Sequence, residues 1–368
     1  MISLKKEDSQ FDVILITGEG YDDHPLSPAG IIARVLDAKG FSVGIIEKPE
    51  KKEDFTRLGA PNLFFGITSG SIDSMLNNYT PLKKRRNEDV HNKNSLMPDR
   101  AVVVYCNKVR EYFRGAKIVI GGIEASLRRF AHYDYWDNNI RRSILLDSRA
   151  DILVYGNGEK QTLEIAEKIK SGKDLKGILG TCILSKEMPS GFIGLPSFQE
   201  ITDSKEKFCE MQVKFSNYMN ICQKYDNNYV LQYQFPDYTS DDLDWIYSLP
   251  YSRKLSPNSL LKLAQFSLIT HRGCIGNCNF CSIALHQGTK IISRSEESIL
   301  SEIKRITKHP EFKGYIDDLG GPSANMYGLD IESRNASCDK IEASHKRIIE
   351  LLRKAREIPG VKKIFIRS

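Results

Sequence analysis

The sequence predicts an α/β chain in which an N-terminal doubly wound parallel sheet is followed by the first part of a β/α barrel. Three observations predict it. Short apolar runs alternate with helical patterns from residue 11 to about 180, the rhythm lapses from 181 to 262, and it resumes from 263 for three more strands before Ser368.

In the first region FDVILITG (11–18) reads as a buried strand, and PAGIIARVLDAKG (28–40) as a helix with proline near its start and Gly40 at its end. FSVGII (41–46), NLFFGITS (62–69), AKIVIGG (116–122) and ADILVYG (150–156) supply four more strands. GEKQTLEIAEKIKSG follows as a helix, with Leu163, Ala166 and Ile169 on one face and Gly172 as the stop. Five strands with intervening helices define a first domain over residues 8–180. Residues 181–262, punctuated by Pro189, Pro196, Pro236, Pro250 and Pro257, read as a surface connector with one helix near 205–223. The last domain, 263–368, begins with the strand QFSLITH (265–271). It continues with a helix capped by Ser293 and Glu296, the strand KGYIDDLGG (313–321), the helix 344–360 and the strand VKKIFIRS (361–368). Three strands leave an open edge, so the chain reads as C-terminally incomplete, or as one whose sheet another chain finishes.

The 368 residues are 40% hydrophobic and 27% charged, an ordinary globular balance long enough for two cores. No apolar run reaches the length of a membrane span and the polar start MISLKKEDSQ is not a signal peptide, so the expected location is the cytoplasm, with no membrane partner. The net charge of +6 is modest and dispersed apart from KKRR at 83–86, which reads first as a solvated loop; nucleic acid is not an expected partner. Cys106, Cys182, Cys209, Cys222 and Cys338 are scattered singly, which is no disulfide framework.

The remaining three cysteines of the eight lie in RGCIGNCNFCSIALHQG (272–288), spaced CxxxCxxC. Thiolates bind soft metals, and cysteines three and four apart on a tight loop can converge on one centre, with Gly273 and Gly276 supplying backbone freedom. Structural zinc wants four closed ligands, for which His286 and Cys338 are the nearby candidates. A four-iron cluster held by three thiolates instead leaves one iron open to a small molecule.

CxxxCxxC with the aromatic Phe280 before its last cysteine resembles the signature of the radical S-adenosylmethionine (SAM) superfamily. GGIEASLRRFAHYDYWDNNIRRSILLDSRADILVYGNGEK, the cysteine loop itself, ISRSEESILSEI and DDLGGPSANMYG resemble segments of the YgiQ-like family of radical SAM proteins, from about residue 11 to the C-terminus. The resemblance implies a partial TIM barrel in which Cys274, Cys278 and Cys281 hold a 4Fe-4S cluster. The open iron would take the amino and carboxylate groups of S-adenosyl-L-methionine, and an electron from a donor such as flavodoxin or ferredoxin would cleave it to methionine and a 5'-deoxyadenosyl radical. It also implies that LGGPSAN (319–325) meets the methionine end of the cofactor. Gly320 and Gly321 are the candidates there, with Asp318 as partner for the ammonium group and Phe280 as a further cofactor-binding residue. The substrate is unassigned. Family members usually run on past residue 368 and carry more cysteines after the glycine segment, where this sequence has only Cys338. The competing reading is a zinc- or iron-sulfur-stabilised binding or electron-transfer module without radical chemistry.

A doubly wound domain before a radical SAM barrel also resembles the cobalamin-binding domain of part of that superfamily. Of its DxHxxG, SxL and GG fingerprints, the sequence has Asp22 and His24 with Ser27 in place of glycine, Ser69 without the leucine, and Gly121 with Gly122. VYGNGEK resembles the closing VxGEGE. The likeness predicts the fold; cobalamin itself is the minor expectation, since a histidine before proline reads more readily as polar surface on an exposed loop. FAHYDYWDNNIRRS (130–143) reads as an interdomain seam ahead of a substrate pocket or a nucleotide contact.

Overall fold

The computed structural model describes residues 10–86, 97–256, 259–276, 278–322, 326–329 and 344–367. It divides into two compact units, one of residues up to Tyr21 with Ser27–Pro236, the other of Asp22–Leu26 with Asp237–Ser368.

The strands of the first unit are β1 (Val13–Thr17), β2 (Val43–Glu47), β3 (Phe64–Thr68), β4 (Ile118–Ile120), β5 (His132–Asp134), β6 (Asn139–Arg141), β7 (Ile152–Val154), β8 (Thr181–Ser185), β9 (Ile193–Gly194), β10 (Ile221–Tyr225) and β11 (Asn228–Gln232). Nine of them form one sheet in the order β2-β1-β3-β4-β7-β8-β11-β10-β9, while β5 and β6 pair as a separate hairpin. From β2 to β7 the neighbours are parallel. VILIT of β1 is buried on both faces, as a central parallel strand requires. Helix Pro28–Asp37 follows it, started by Ser27, whose hydroxyl accepts from the Gly30 N–H, and by Pro28 in the first turn. Val13, Leu15, Leu36, Phe64, Ile152, Val154 and Ile165 pack into one core.

Beyond β7 the structure departs from expectation. Residues 181–236 are not a connector: β8, β10 and β11 continue the sheet antiparallel, and β9 pairs parallel with β10 at the far edge. Cys182, Ile183, Ile221, Cys222, Val230 and Leu231 are buried there. Two helices, Phe198–Asp203 and Lys205–Lys214, stand where one was expected. The prolines lie between the strands rather than inside them, which is where a sheet tolerates proline. The first unit therefore extends past residue 180 to Pro236.

The second unit carries β12 (Leu268–Ile269), β13 (His271–Arg272), β14 (Ile292–Ser293), β15 (Tyr315–Ile316), β16 (Leu319–Gly320) and β17 (Lys363–Ile364). β12 pairs parallel with β16, and β15 with β17, so the three expected strand segments lie side by side in chain order. Each expected long strand is a short piece, and QFSLITH is split: β13 turns away to pair antiparallel with β14. Helices Glu296–Ile306 and Lys346–Arg356 connect the parallel segments and bury Ile299, Ile303, Ile306 and Leu351 against Leu268, Ile316 and Leu319. The first of these helices is capped by Ser295, which accepts from Ser298 N–H; Ser293, the expected cap, lies in β14. No helix among the described residues is long and apolar enough to cross a membrane.

Candidate metal centre

The cysteine loop leaves β13 through Gly273, whose φ is +85° and whose missing Cβ would run into the Lys290 carbonyl; only glycine can stand there. Its N–H donates to Gln287 Oε1 at 3.3 Å, and Cys274 N–H donates to the Gly288 carbonyl at 3.1 Å, so the chain returning from helix Ile283–Gln287 holds the loop's start. Cys281 N–H closes a turn onto the Cys278 carbonyl at 2.9 Å. A Cβ added at Gly276 would lie 3.4 Å from Cys274 Sγ and 3.6 Å from Cys278 Sγ. Two of the three sulfurs thus converge on the space this glycine leaves open. Cys274 is buried, Cys281 half-buried and Cys278 exposed. Among the described residues the three do not close into a ready-made group of metal ligands, and neither His286 nor any other donor completes one; Cys338 lies outside the described residues. Three soft thiols on one glycine-opened loop are the donor set that an iron-sulfur cluster takes, and in that respect the residues fit it.

The other expected cofactor residues fall into three places. Phe280 is 92% exposed at the tip of the loop. Gly320 is in β16, its carbonyl accepting from Thr270 N–H at 2.7 Å. Gly321 lies against the ring of buried His271, where a Cβ would meet all three ring atoms nearest to it. The strand that launches the cysteine loop and the glycine segment are therefore direct neighbours. Asp318 accepts from Arg367 N–H through Oδ1 at 2.8 Å, and its carbonyl accepts from Leu268 N–H. Residues 323–325 of the glycine segment lie outside the described residues.

Sequence reasoning missed the side chains that fix β12. Leu268 and Thr270 turn their N–H groups toward β16, which leaves the carbonyls of Ser267 and Ile269 on the opposite edge. Arg253 Nη1 donates to Ser267 O at 3.1 Å and to Gln265 O at 2.7 Å, and Arg294 Nη1 donates to Ile269 O at 2.9 Å. Guanidinium donors there stand in for a second strand. Glu302 joins the pair, accepting from Arg253 at 2.5 Å and from Arg294 at 2.6 Å, all three side chains being at most 6% exposed. Burial works against the Glu302 carboxylate, but the two arginines outweigh it and hold it below the usual carboxylate range. Arg294 and Arg272 also lie over the Tyr247 ring, at 4.6 and 5.2 Å, and Arg272 Nε donates to its hydroxyl at 3.0 Å. No motif announces these contacts, which join residues up to 49 positions apart; a single acid, Glu302, among Ile299, Ile303 and Ile306 on the buried face of its helix was the available signal.

His24 corrects the sequence reading. It is fully buried within the second unit, not exposed. Its Nδ1 accepts from Leu26 N–H at 3.1 Å, which assigns the proton to Nε2, 2.8 Å from the Gln265 carbonyl. Burial and the neighbouring Arg253 charge push its pKa down to about 3. Asp22 accepts from Ser256 N–H and the Ser259 hydroxyl, and Asp23 from Ser252 N–H. A ring with both nitrogens engaged has no lone pair for cobalt. At the ends of β1 and β3, a Cβ on Gly18 would meet the Ser69 carbonyl at 2.7 Å, and Glu19 lies against Gly70. The expected corrinoid fingerprint does not fit cobalamin in this arrangement.

Residues 3–267 match the family described as Radical SAM N-terminal. The chain is 44% identical to a UPF0313 protein of Fusobacterium nucleatum over 97% of this chain and 69% of that one. It is 42% identical to UPF0313 proteins of Clostridium botulinum, over 99% of this chain and 62% of that one, and of Methanocaldococcus jannaschii, over 98% and 64%. The chain thus spans about two thirds of the length of these relatives. Among solved structures, two of the radical S-adenosylmethionine methyltransferase TsrM from Kitasatospora setae align distantly. One, with cobalamin and a [4Fe-4S] cluster bound, gives a TM-score of 0.49 at 15% identity over 95% of this chain and 51% of that one. The other, with tryptophan and a SAM analogue, gives 0.45 at 16% over 83% and 47%.

Proposed function

The chain belongs to the UPF0313 family and carries its radical SAM N-terminal region, and from that premise we propose that it acts as a radical SAM enzyme on a substrate still to be assigned. The observation that carries the reading is the convergence of Cys274 and Cys278 sulfurs on the space left by Gly276, with Cys281 on the same loop. Cys274, Cys278 and Cys281 would hold a 4Fe-4S cluster through three of its irons. The chemistry such a cluster supplies is one-electron reductive cleavage of S-adenosylmethionine to methionine and a 5'-deoxyadenosyl radical.

The chain's own residues have separate tasks. Gly273 lets the loop start pass close to the Lys290 carbonyl, and Gly276 would leave room beside the Cys274 and Cys278 sulfurs for a bulky inorganic group. Gly321 admits the His271 ring and so keeps the glycine segment against the loop's launching strand; Gly320 and Gly321 are our candidates for meeting the cofactor's methionine end. Asp318 is the candidate partner for its ammonium group, and the exposed Phe280 ring offers an apolar face to the rest of the cofactor. Arg272, two residues before Cys274, is fixed on Tyr247 and so anchors the strand end from which the loop departs. The reading includes a cytoplasmic reaction fed by an electron donor such as flavodoxin or ferredoxin.

The test is anaerobic incubation of iron- and sulfide-reconstituted protein with dithionite and S-adenosylmethionine. Release of 5'-deoxyadenosine, lost in Cys278→Ala, is the expected result. Reconstituted protein whose cluster spectrum ignores S-adenosylmethionine would instead assign an electron-transfer role.

A further inference from the structure

The basic run Lys83–Arg86 and the aromatic stretch 130–143 are separate in sequence, yet in the first unit they build one surface. Tyr79 and Trp136 rings lie 4.9 Å apart, and Trp136 meets Tyr135 edge-on at 5.5 Å. Tyr135 hydroxyl donates to the Pro81 carbonyl at 2.8 Å. Lys83 Nζ sits 4.7 Å over the Tyr135 ring and donates to the Trp136 carbonyl at 3.2 Å. The stretch read as an interdomain seam is thus the platform on which the basic loop rests.

The charge left on this platform is positive. Of the acids around it, Asp134 and Asp137 are paired with Arg100, Asp137 also with Arg141 and Asp147 with Arg142, while Asp99 accepts from the Tyr79 hydroxyl and from Asn78 Nδ2 and is, among the described residues, the one acid set against the four cations of the run. Lys83, Lys84, Arg85 and Arg86 are all exposed, and among the described residues none of the four makes an ion pair. Arg86 is held by backbone carbonyls of Leu76 and Tyr79, both at 3.2 Å, so its position is set without neutralising its charge. Beside Lys83, Tyr135 is 47% exposed, and Tyr133, two residues before it in the same hairpin, is 48% exposed.

Fixed cations alone would suit any polyanion, but cations interleaved with half-exposed rings suit one whose charged backbone carries flat aromatic groups. We propose that this surface binds single-stranded nucleic acid, with Lys83, Lys84, Arg85 and Arg86 along the phosphates and Tyr133 and Tyr135 stacking bases.

Fluorescence anisotropy of a labelled oligouridylate with the full chain tests it. Replacing Lys83, Lys84, Arg85 and Arg86 together by alanine should weaken binding at least tenfold and flatten the salt dependence, by about 0.7 in log–log slope for each phosphate no longer neutralised. Tyr133→Ala, which touches none of the contacts that hold the basic loop, should weaken binding about tenfold with the slope unchanged, the signature of weakened stacking. Because Lys84 has no side-chain partner among the described residues, Lys84→Glu serves as the variant that does not act through folding, and it too should weaken binding. No binding at low salt, wild-type affinity in the four-alanine variant, or displacement by polyglutamate as readily as by unlabelled oligouridylate would overturn the proposal.

Discussion

β1 and β12 each open a parallel sheet, yet they are held in opposite ways. β1 pairs over five residues with β2 on one edge and five with β3 on the other. Among the described residues β12 pairs over two residues with β16 alone, and its other edge is met by the guanidiniums of Arg253 and Arg294. A strand secured by backbone ladders depends on its own sequence; one secured by side chains depends on residues brought from elsewhere. The strand that leads into the cysteine loop is of the second kind. It relies on Arg253, Arg294 and Glu302, and on a segment, Asp22–Leu26, some 240 residues away, whose His24 bonds to the same Gln265 carbonyl as Arg253.

The chain has two tryptophans, Trp136 in the first unit and Trp245 in the second, so Trp136→Phe and Trp245→Phe backgrounds report on each unit separately during denaturant unfolding. Glu302→Gln should give the largest effect, a loss of about 4 kcal/mol seen by Trp245, because it strands two buried guanidiniums without their carboxylate. An equal loss at Trp136 would contradict the difference between the two strands. Leu36→Ala, in the core of the first unit, should cost about 3 kcal/mol and move the Trp136 transition.

Acid separates the two units further. His24 keeps a pKa near 3 when folded, against about 6.5 in an unfolded chain, so its contribution is complete above pH 6.5 and is lost as pH falls toward 3. At roughly 1.4 kcal/mol per pH unit, the second unit should lose about 2 kcal/mol between pH 6.5 and 5. His24→Asn should remove that slope. His132, pushed down to about 4 by burial and by Arg128, gives the first unit a slope of its own, so the readout is the difference between wild type and variant in Trp245 fluorescence. The smallest effect is expected from Ser295→Ala, about 1 kcal/mol for loss of the cap on helix Glu296–Ile306, with Ser293→Ala leaving that helix's cap intact.

The same contrast explains what the sequence made legible. Apolar runs such as VILIT and FFGIT carry their own pattern, so the five parallel strands, the helices after them and the order of the last three strand segments could be read directly. The antiparallel extension was not read because its strands, ICQKY and NYVLQ, bury polar Gln223 and Gln232 among apolar neighbours, which masks the alternation. Its turn at Asp226, with φ of +46°, was the missed signal for a hairpin. The cysteine spacing was plain, whereas the arginine-glutamate network was not, since it exists only after residues from four distant segments meet. His24 misled because a DxH pattern states which residue is present and not which unit will bury it.

If the three cysteines of one loop hold one iron-sulfur cluster, metal content after anaerobic reconstitution and desalting will show it, for the wild type and for Cys274→Ala, Cys278→Ala and Cys281→Ala. The expected result is about four irons per chain in the wild type, with sulfide to match, and loss of most of it in each of the three variants. Stoichiometric zinc without iron, or iron retained equally in all three variants, would contradict the assignment.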